Sequence, residues 1–127
     1  GRMVKAIGDD RVKICLDTEH AFAAGYDISD TEGVKTSMGE FDREIGLDKL
    51  VAVHANDAKV EHGSGVDRHE NIGEGFIGLD GFEVIMSHPA FENVPFILEV
   101  PGPDKKGPDK ANVDLLKALR DKLGGSA

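Results

Sequence analysis

The chain has 127 residues, a formal net charge of −9 and a single cysteine. Its 39% hydrophobic and 31% charged residues are typical of a globular domain, which excludes a disordered or collagen-like chain. No apolar run has the roughly 18 residues that a membrane span needs, and one cysteine excludes a disulfide framework. We therefore expect residues 1–127 to form a single domain in the reducing cytoplasm, with no membrane-spanning or secretory segment.

The acidic charge leaves two classes of function open. Taken alone, it argues against a nucleic-acid-binding protein, which usually carries a basic surface. It also fits a chain whose carboxylates hold divalent cations, because each ion returns two positive charges where its ligands lie. The motifs, rather than the sign of the charge, have to decide between these classes.

The first third of the chain predicts a strand, a turn and a helix. The apolar run Val12–Leu16 predicts the first strand, in which Cys15 is expected to be a small core residue. Residues 21–24 fit a short helical turn. A capping-box pattern begins at Ser37 and predicts a helix. Its expected inner face carries Met38, Phe41 and Ile45.

The middle of the chain predicts a second strand and a second main helix. Leu50–His54 is apolar and β-branched, and the polar stretch after it has room for a short strand at residues 65–67. The second helix is expected to begin near Asp80, and Pro89 limits its extent. Its expected inner residues are Phe82, Ile85 and Met86.

The last third predicts another strand and a closing helix. Val94–Val100 forms the strand, and the helix runs from about Asn112 to a glycine stop at residues 124–125. The strand-like runs are continuous rather than alternating, which is typical of a parallel sheet that is buried on both faces. Alternating strands and helices predict a parallel α/β fold with outer helices. About four such units are half of a (β/α)8 barrel, which needs about 250 residues.

A polar group that can bind metal follows each predicted strand. The carboxyl ends of parallel strands meet at one edge of a sheet, where the active sites of such folds lie. Imidazole nitrogen together with carboxylate oxygen suits zinc, and also manganese or iron. From the residues alone, a metal site and ordinary caps, turns and surface side chains are equally supported. The candidate ligands are Asp17, His20, His54, Asp67, His69 and Glu99.

Four segments resemble the motifs of endonuclease IV, the type 2 apurinic/apyrimidinic endonuclease family, and they occur in the family order. Residues 14–27, Ile-Cys-Leu-Asp-Thr-Glu-His-Ala-Phe-Ala-Ala-Gly-Tyr-Asp, are similar to the first motif. Residues 54–59 resemble the motif His-x-Asn-Asp-Ser-Lys, and residues 67–75 and 97–101 are similar to the third and last motifs. Three residues depart from the family pattern. Glu19 stands where a small residue or Cys is usual, Ala58 where Ser is common, and Val100 where Thr is common.

This resemblance implies the carboxyl-terminal half of an eight-stranded α/β barrel that holds three zinc ions. It implies that Asp17, His54 and Glu99 hold one ion, and that a second ion is held by another set. The members of that second set are His20, Asp67 and His69. The remaining family ligands, two histidines and a bridging glutamate, come from the first half of the barrel, to which nothing in this chain corresponds.

The reaction implied is hydrolysis of the DNA phosphodiester 5′ to an abasic site, as in base excision repair. It needs no side-chain nucleophile, because metal ions orient the phosphate and stabilise the attacking and leaving oxygens. We predict a zinc-dependent enzyme that, as this chain alone, binds metal but cleaves abasic DNA poorly or not at all. The nearest candidates for DNA contacts are Lys59 and Arg68. The alternative for Arg68 is a salt bridge to a neighbouring carboxylate.

The predicted partners are abasic-site DNA and whatever completes the barrel. That is either a missing amino-terminal half-barrel or a second copy of the chain, because open sheet edges invite pairing and a two-fold axis permits closure. Two other functions stay open at this point. One is a sugar-isomerase-like barrel that also uses histidine and carboxylate metal ligands, and the other is a metal-binding module without turnover.

Overall fold

The computed structural model describes residues 1–124, which form a parallel sheet, a small antiparallel ribbon and surrounding helices. The helices are α1 (Arg2–Ile7), α2 (Thr18–Ala23), α3 (Thr31–Glu44), α4 (Gly78–Ser87) and α5 (Lys110–Gly124). The strands are β1 (Ile14–Asp17), β2 (Leu50–Ala55), β3 (Asp57–Ala58), β4 (His69–Glu70) and β5 (Phe96–Leu98). Short 3-10 turns are Leu47–Lys49 and Pro89–Phe91.

The larger sheet is parallel and has the strand order β1-β2-β5. Its register places Asp17 beside His54, and His54 beside Ile97. Residues that are neighbours in register project from the same face, so these side chains share one face at the carboxyl end of the sheet. Within residues 1–124, β1 and β5 each pair with one strand of this sheet and form its edges. The predicted parallel α/β arrangement is confirmed.

The core lies on the other face of the sheet, beneath the helices. Val53 of the central strand β2 and Phe82 of α4 have no exposed surface. Burying a side chain of this size stabilises a fold by about 1.5–3 kcal/mol relative to leaving it exposed. The same cluster includes residues from α3 and α5, namely Val34, Met38, Leu116 and Leu119. Of the predicted inner residues, Met38, Phe82 and Ile85 lie in the core, and Phe41 and Met86 pack against it. Ile45 lies just after the end of α3 and outside this cluster, so its prediction is wrong.

Cys15 is exposed, and its prediction as a core residue is wrong. Cys15 lies two residues before Asp17 in β1, so the two side chains project from the same face. On that face Asp17 is buried where its side chain caps α2, whereas Cys15 is exposed and Ile97 is 51% exposed. An apolar run indicates a strand, but it does not show whether both faces are covered within residues 1–124.

Two helices begin earlier than their patterns predict. α3 begins at Thr31, because the Asp30 side chain accepts the backbone N–H of Gly33 at 2.6 Å and caps the helix. Ser37 lies inside α3, so the capping-box interpretation of that residue is wrong. The helical turn expected at residues 21–24 is α2, which begins at Thr18 after its cap Asp17. The exposed helix α1 has no buried residues and was not predicted.

The strand expected at residues 65–67 is absent from the described part of the chain. Instead, β4 begins just after that segment and pairs antiparallel with β3, with Asp57 opposite Glu70 and Ala58 opposite His69. This ribbon continues directly from the end of β2, so it carries His69 back toward the parallel sheet. The length of the polar loop could not fix this register, because its residues lack a buried face.

The end of α4 agrees with its sequence signal. α4 runs to Ser87, just before Pro89. α5 extends at least to Gly124, and the other half of its predicted glycine stop, Gly125, lies outside the described residues. Within residues 1–124, none of the helices combines the length and apolar character that a bilayer span requires.

Candidate metal centre

One cluster of candidate ligands lies directly at the carboxyl edge of the parallel sheet. Asp17 ends β1, His54 lies in β2, and Glu99 follows β5. His54 Nδ1 lies 2.8 Å from Glu99 Oε1 and 3.9 Å from Asp17 Oδ2. Each of the three residues offers a ligand atom within 4.8 Å of the others. This arrangement can hold a metal ion.

A second cluster is built by α2 and by the segment that forms β4. Asp67 Oδ1 lies 3.0 Å from His20 Nε2 and 3.3 Å from His69 Nε2. Ligands of a tetrahedral zinc at about 2.0–2.1 Å from the ion are about 3.4 Å apart, so the two distances suit a shared ion. The structure therefore brings together all the residues that the sequence analysis selected, in two adjoining groups.

Asp17 joins the two clusters. Its side chain is largely buried, and its Oδ2 atom faces all three imidazoles of the site. The distances are 3.6 Å to His20 Nδ1, 3.8 Å to His69 Nε2 and 3.9 Å to His54 Nδ1. Its other oxygen, Oδ1, accepts the backbone N–H of His20 at 3.0 Å and fixes the carboxylate at the start of α2. Asp17 can therefore contribute to either cluster.

His69 is oriented so that one ring nitrogen is free for a ligand. Its Nδ1 lies 3.2 Å from the backbone carbonyl of Glu99, which can only accept, so Nδ1 carries the proton. In the neutral ring, Nε2 then presents a lone pair to the cluster. Nε2 is buried and forms no well-aligned hydrogen bond within residues 1–124, although Asp67 Oδ1 lies 3.3 Å and Asp17 Oδ2 3.8 Å from it. A metal ion between this nitrogen and the carboxylates would explain the arrangement.

Asn56, which the sequence analysis did not single out as a site residue, holds the two carboxylates of the first cluster. It is fully buried, and its Nδ2 donates to Asp17 Oδ2 at 3.2 Å and to Glu99 Oε1 at 3.4 Å. The Thr18 hydroxyl donates to the Asn56 carbonyl at 2.6 Å and accepts the Asn56 N–H at 2.9 Å. The signals in the sequence are the place of Asn56 in the motif of residues 54–59 and its position directly after β2, two residues after His54.

Glu19 is a second residue whose position the sequence analysis did not anticipate. The sequence identified it only as a departure from the family pattern, yet its side chain is fully buried. Its Oε1 accepts the backbone N–H of Arg68 at 3.1 Å, while its Oε2 has no hydrogen-bond partner within residues 1–124. With Asp17, His20 and His69, it forms a group that could hold a metal ion.

The charges of the site favour a cation. Burial raises the pKa of the Glu19 carboxyl, and the Arg68 N–H opposes this only in part. Burial alone would lower the pKa of His20, but the negative charges led by Asp17 and the hydrogen bond to Asp67 hold it above its ordinary value. Slight burial of Asp67 is outweighed by His20, so the pKa of Asp67 is lowered. The acidic groups thus stabilise positive charge at their centre.

Asp57 directly follows Asn56 in sequence, but its role is structural. It is fully buried, and within the described residues its carboxylate accepts only backbone N–H groups, at distances from 2.8 to 3.2 Å. These bonds fix the loop between β4 and α4. The donors are Ala58, Gly73, Gly75, Ile77 and Gly78.

Lys59 and Arg68 are exposed neighbours across the ribbon, where the Lys59 N–H donates to the Arg68 carbonyl at 3.1 Å. The Arg68 guanidinium donates to the carbonyl of Asp67 at 3.4 Å. Within the described residues it forms no ion pair, so the alternative of a salt bridge for Arg68 is not found. Contact with a substrate stays a prediction for both residues.

Known proteins resemble this chain in sequence. Residues 1–122 match the family model described as xylose isomerase-like TIM barrel. The "Probable endonuclease 4" of Trichlorobacter lovleyi is 49% identical over 110 residues, which are 87% of this chain and 39% of that protein. The protein of the same name from Methanoculleus marisnigri is 50% identical over 110 residues, with the same shares. The chain thus spans about two fifths of the length of these relatives.

Solved structures resemble its fold. The crystal structure of endonuclease IV from Thermus thermophilus has a TM-score of 0.79 and 33% identity, and the match covers 94% of this chain and 43% of that one. The crystal structure of AsfvAP:AG has a TM-score of 0.63 at 23% identity, with 98% of this chain and 43% of that one covered, and shows the fold alone. These comparisons confirm the predicted fold class, a part of a TIM barrel with parallel strands and outer helices.

Proposed function

The chain belongs to the xylose isomerase-like TIM barrel family, and we propose that it supplies two zinc sites of a DNA-repair endonuclease. The proposed reaction is hydrolysis of the phosphodiester 5′ to an abasic site. Its support is the similarity to relatives named "Probable endonuclease 4" and to an endonuclease IV structure, as the four sequence motifs predicted. Zinc, the cleaved bond and the abasic substrate are parts of the proposal.

The single observation that carries the proposal is the pair of histidine–carboxylate clusters that meet at Asp17. Asp17 Oδ2 is within 3.9 Å of a nitrogen on each of three imidazoles, and the buried Nε2 of His69 forms no well-aligned hydrogen bond within residues 1–124. Burying several carboxylates and histidines so close together costs free energy, and a divalent ion that neutralises the carboxylates reduces this cost. Helix caps or surface side chains would not require such convergence.

Each cluster would hold one ion. Asp17, His54 and Glu99 would bind the first, and the second would be bound by His20, Asp67 and His69. Zinc held by these residues would supply a Lewis acid for the phosphodiester and would lower the pKa of a bound water molecule. The protein contributes orientation, because Asn56 fixes the carboxylates and the Glu99 carbonyl fixes the ring of His69.

Lys59 and Arg68 are proposed to contact DNA phosphates. Both are exposed, and Arg68 directly follows Asp67. Because the Arg68 guanidinium forms no ion pair within residues 1–124, it is available to a phosphate oxygen. This placement offers local positive charge on a chain with a net charge of −9.

The site also needs a partner for the open sheet. Within residues 1–124, β1 and β5 are edges, and the face that carries Asp17 leaves Cys15 and Ile97 exposed. We propose that the rest of a barrel, from a longer chain or from a second copy, covers this face and supplies further ligands. Residues 1–127 alone are therefore expected to bind zinc and to incise abasic DNA weakly.

Zinc stoichiometry tests the proposed sites. Elemental analysis of the dialysed protein is expected to give two zinc ions per chain. Asp17→Asn should reduce the content at both sites, whereas Asp10→Asn removes the same charge from an exposed position and should leave it unchanged. Absence of bound zinc, or an Asp17→Asn variant with the content of the wild type, would contradict the proposal.

Activity assays separate the enzyme classes. The zinc-loaded chain is incubated with three kinds of substrate: a duplex with one abasic site, the same duplex without it, and a panel of aldoses. Each assay is run with the chain alone and after addition of an amino-terminal half-barrel from an endonuclease IV relative. We expect incision of the abasic duplex to rise when the half-barrel is added. Conversion of an aldose without incision would instead favour a sugar isomerase, which the description of the family keeps as the second candidate.

A further inference from the structure

We propose that Glu19 is an additional ligand of the metal ion held by His20, Asp67 and His69. This inference rests on the proposed function, because the ion is the one assigned there. The family pattern has a small residue or Cys at this position, so the carboxylate is a feature of this chain. It would complete a set of two imidazoles and two carboxylates around a divalent ion.

The two carboxylate oxygens of Glu19 have different surroundings. Oε1 accepts the backbone N–H of Arg68 at 3.1 Å and thereby fixes the segment that carries Asp67 and His69. Oε2 has no hydrogen-bond partner within residues 1–124. It cannot bond to bulk water instead, because the residue is 0% exposed. A buried carboxylate with one unpaired oxygen is costly, and a cation next to that oxygen removes the cost.

Within the described residues, no lysine or arginine side chain supplies that cation. The one basic side chain of residues 1–124 within 4.0 Å of a Glu19 carboxylate oxygen is His20, whose Nε2 is 3.9 Å from Oε2. The same Nε2 atom is 3.0 Å from Asp67 Oδ1. His20 Nε2 therefore lies near a carboxylate oxygen of both Glu19 and Asp67. Within residues 1–124, Glu19 has no other basic side chain this close, and Asp67 has one more, His69.

The distances fit a shared ion. At metal–ligand distances of about 2.1 Å, neighbouring ligands are about 3.0–3.4 Å apart and opposite ligands about 4.2 Å. The 3.9 Å between Glu19 Oε2 and His20 Nε2 lies between these limits. Ligand atoms of Glu19, His20 and His69 lie within 4.8 Å of one another, together with one of Asp17. The fourth proposed ligand, Asp67 Oδ1, lies 3.0 Å and 3.3 Å from the Nε2 atoms of the two imidazoles.

The substitution Glu19→Gln isolates the unpaired oxygen. The amide oxygen of glutamine can still accept the Arg68 N–H, so the segment that carries Asp67 stays in place. The amide NH2 group replaces Oε2 and cannot bind a cation. Glu61→Gln is the matched control, because it removes the same charge from an exposed residue of a neighbouring loop.

Zinc affinity is measured by competition with a chromogenic chelator on the full chain. We expect Glu19→Gln to weaken one of the two sites about tenfold or more, while Glu61→Gln changes neither. The Co²⁺-substituted protein should show a changed visible absorption band for Glu19→Gln only. Equal affinities and an unchanged Co²⁺ spectrum in Glu19→Gln would overturn the inference.

Melting temperatures with and without zinc separate a ligand from a structural residue. Without metal, Glu19→Gln should melt at or above the temperature of the wild type, because an unpaired buried charge is removed. The rise in melting temperature on adding zinc should be smaller than in the wild type. A variant that is less stable without metal, yet shows the full rise with zinc, would make Glu19 structural. Failure of the wild type to bind zinc would count against the proposed function itself.

Discussion

The side-chain oxygen of Asn56 accepts the backbone N–H of Glu99 at 2.8 Å. This bond ties the end of β2 to the residue that follows β5. The Asn56 amide also donates to both carboxylates of the first cluster, so a single buried side chain sets the spacing of two proposed ligands. The geometry of the metal centre thus depends on a residue that binds no metal itself.

Asn56→Ala is predicted to loosen this centre. It leaves the part-buried N–H of Glu99 without its acceptor and both carboxylates without their shared donor, which should lower the free energy of unfolding by about 1–3 kcal/mol. Zinc affinity should fall by about 10- to 100-fold, the usual effect of removing a group that orients ligands. Urea unfolding and chelator competition measure the two effects. Asn93→Ala, at an exposed position, is the control, and an Asn56→Ala variant with wild-type zinc affinity would refute the role.

Asp57→Asn is predicted to destabilise the fold without removing a metal ligand. The buried carboxylate accepts backbone N–H groups on both oxygens, and an asparagine NH2 group would point donors at donors. We expect the free energy of unfolding to fall by about 2–4 kcal/mol, as measured in urea. Asp104→Asn, an exposed change of the same type, should have little effect. A loss of zinc from the folded Asp57→Asn protein with no loss of stability would show that Asp57 belongs to the site.

His88 is predicted to make stability depend on pH. Burial lowers the pKa of His88, and its Nδ1 accepts the N–H of Ala90 at 3.1 Å, which a protonated nitrogen cannot do. A folded-state pKa below the unfolded value of about 6.5 means that the free energy of unfolding falls as the pH decreases through and below that value.

His88→Asn tests this dependence, because asparagine can cap the same turn but does not titrate. Urea unfolding midpoints are compared for both proteins between about pH 8 and pH 5 in the presence of a chelator. The wild type should lose more stability toward acid than His88→Asn. Parallel curves for the two proteins would show that His88 does not contribute.

The sequence predicts those parts of the fold and site that leave a periodic or positional signal. Continuous apolar runs indicate the strands of the parallel sheet, and polar residues at their carboxyl ends indicate the candidate ligands, such as Asp17 and His54. The stripe of Leu116 and Leu119 likewise indicates the buried face of α5. The predictions of the strands and of this helix face succeed because burial of apolar surface dominates the arrangement of regular elements, whereas the ligand assignments stay a proposal.

Buried polar residues are harder to predict. Glu19, Asn56 and Asp57 lie in segments that the sequence motifs marked, but nothing in their neighbours reveals which buried partner a polar side chain will have. The carboxylates that Asn56 contacts are 39 or more residues away, and the Arg68 N–H is 49 residues from Glu19. The exposure of Cys15 was missed for a related reason, because the cover of a strand depends on elements remote in sequence.

The position of metal ions relative to Asp17 tests the central claim most directly. Crystals of the zinc-loaded chain are measured at wavelengths on either side of the zinc absorption edge, and the anomalous difference map is calculated. The account predicts two zinc peaks on opposite sides of the Asp17 carboxylate, one beside His54 and Glu99 and the other beside His20 and His69. No peak at either cluster, or zinc bound only at exposed residues elsewhere, would contradict it.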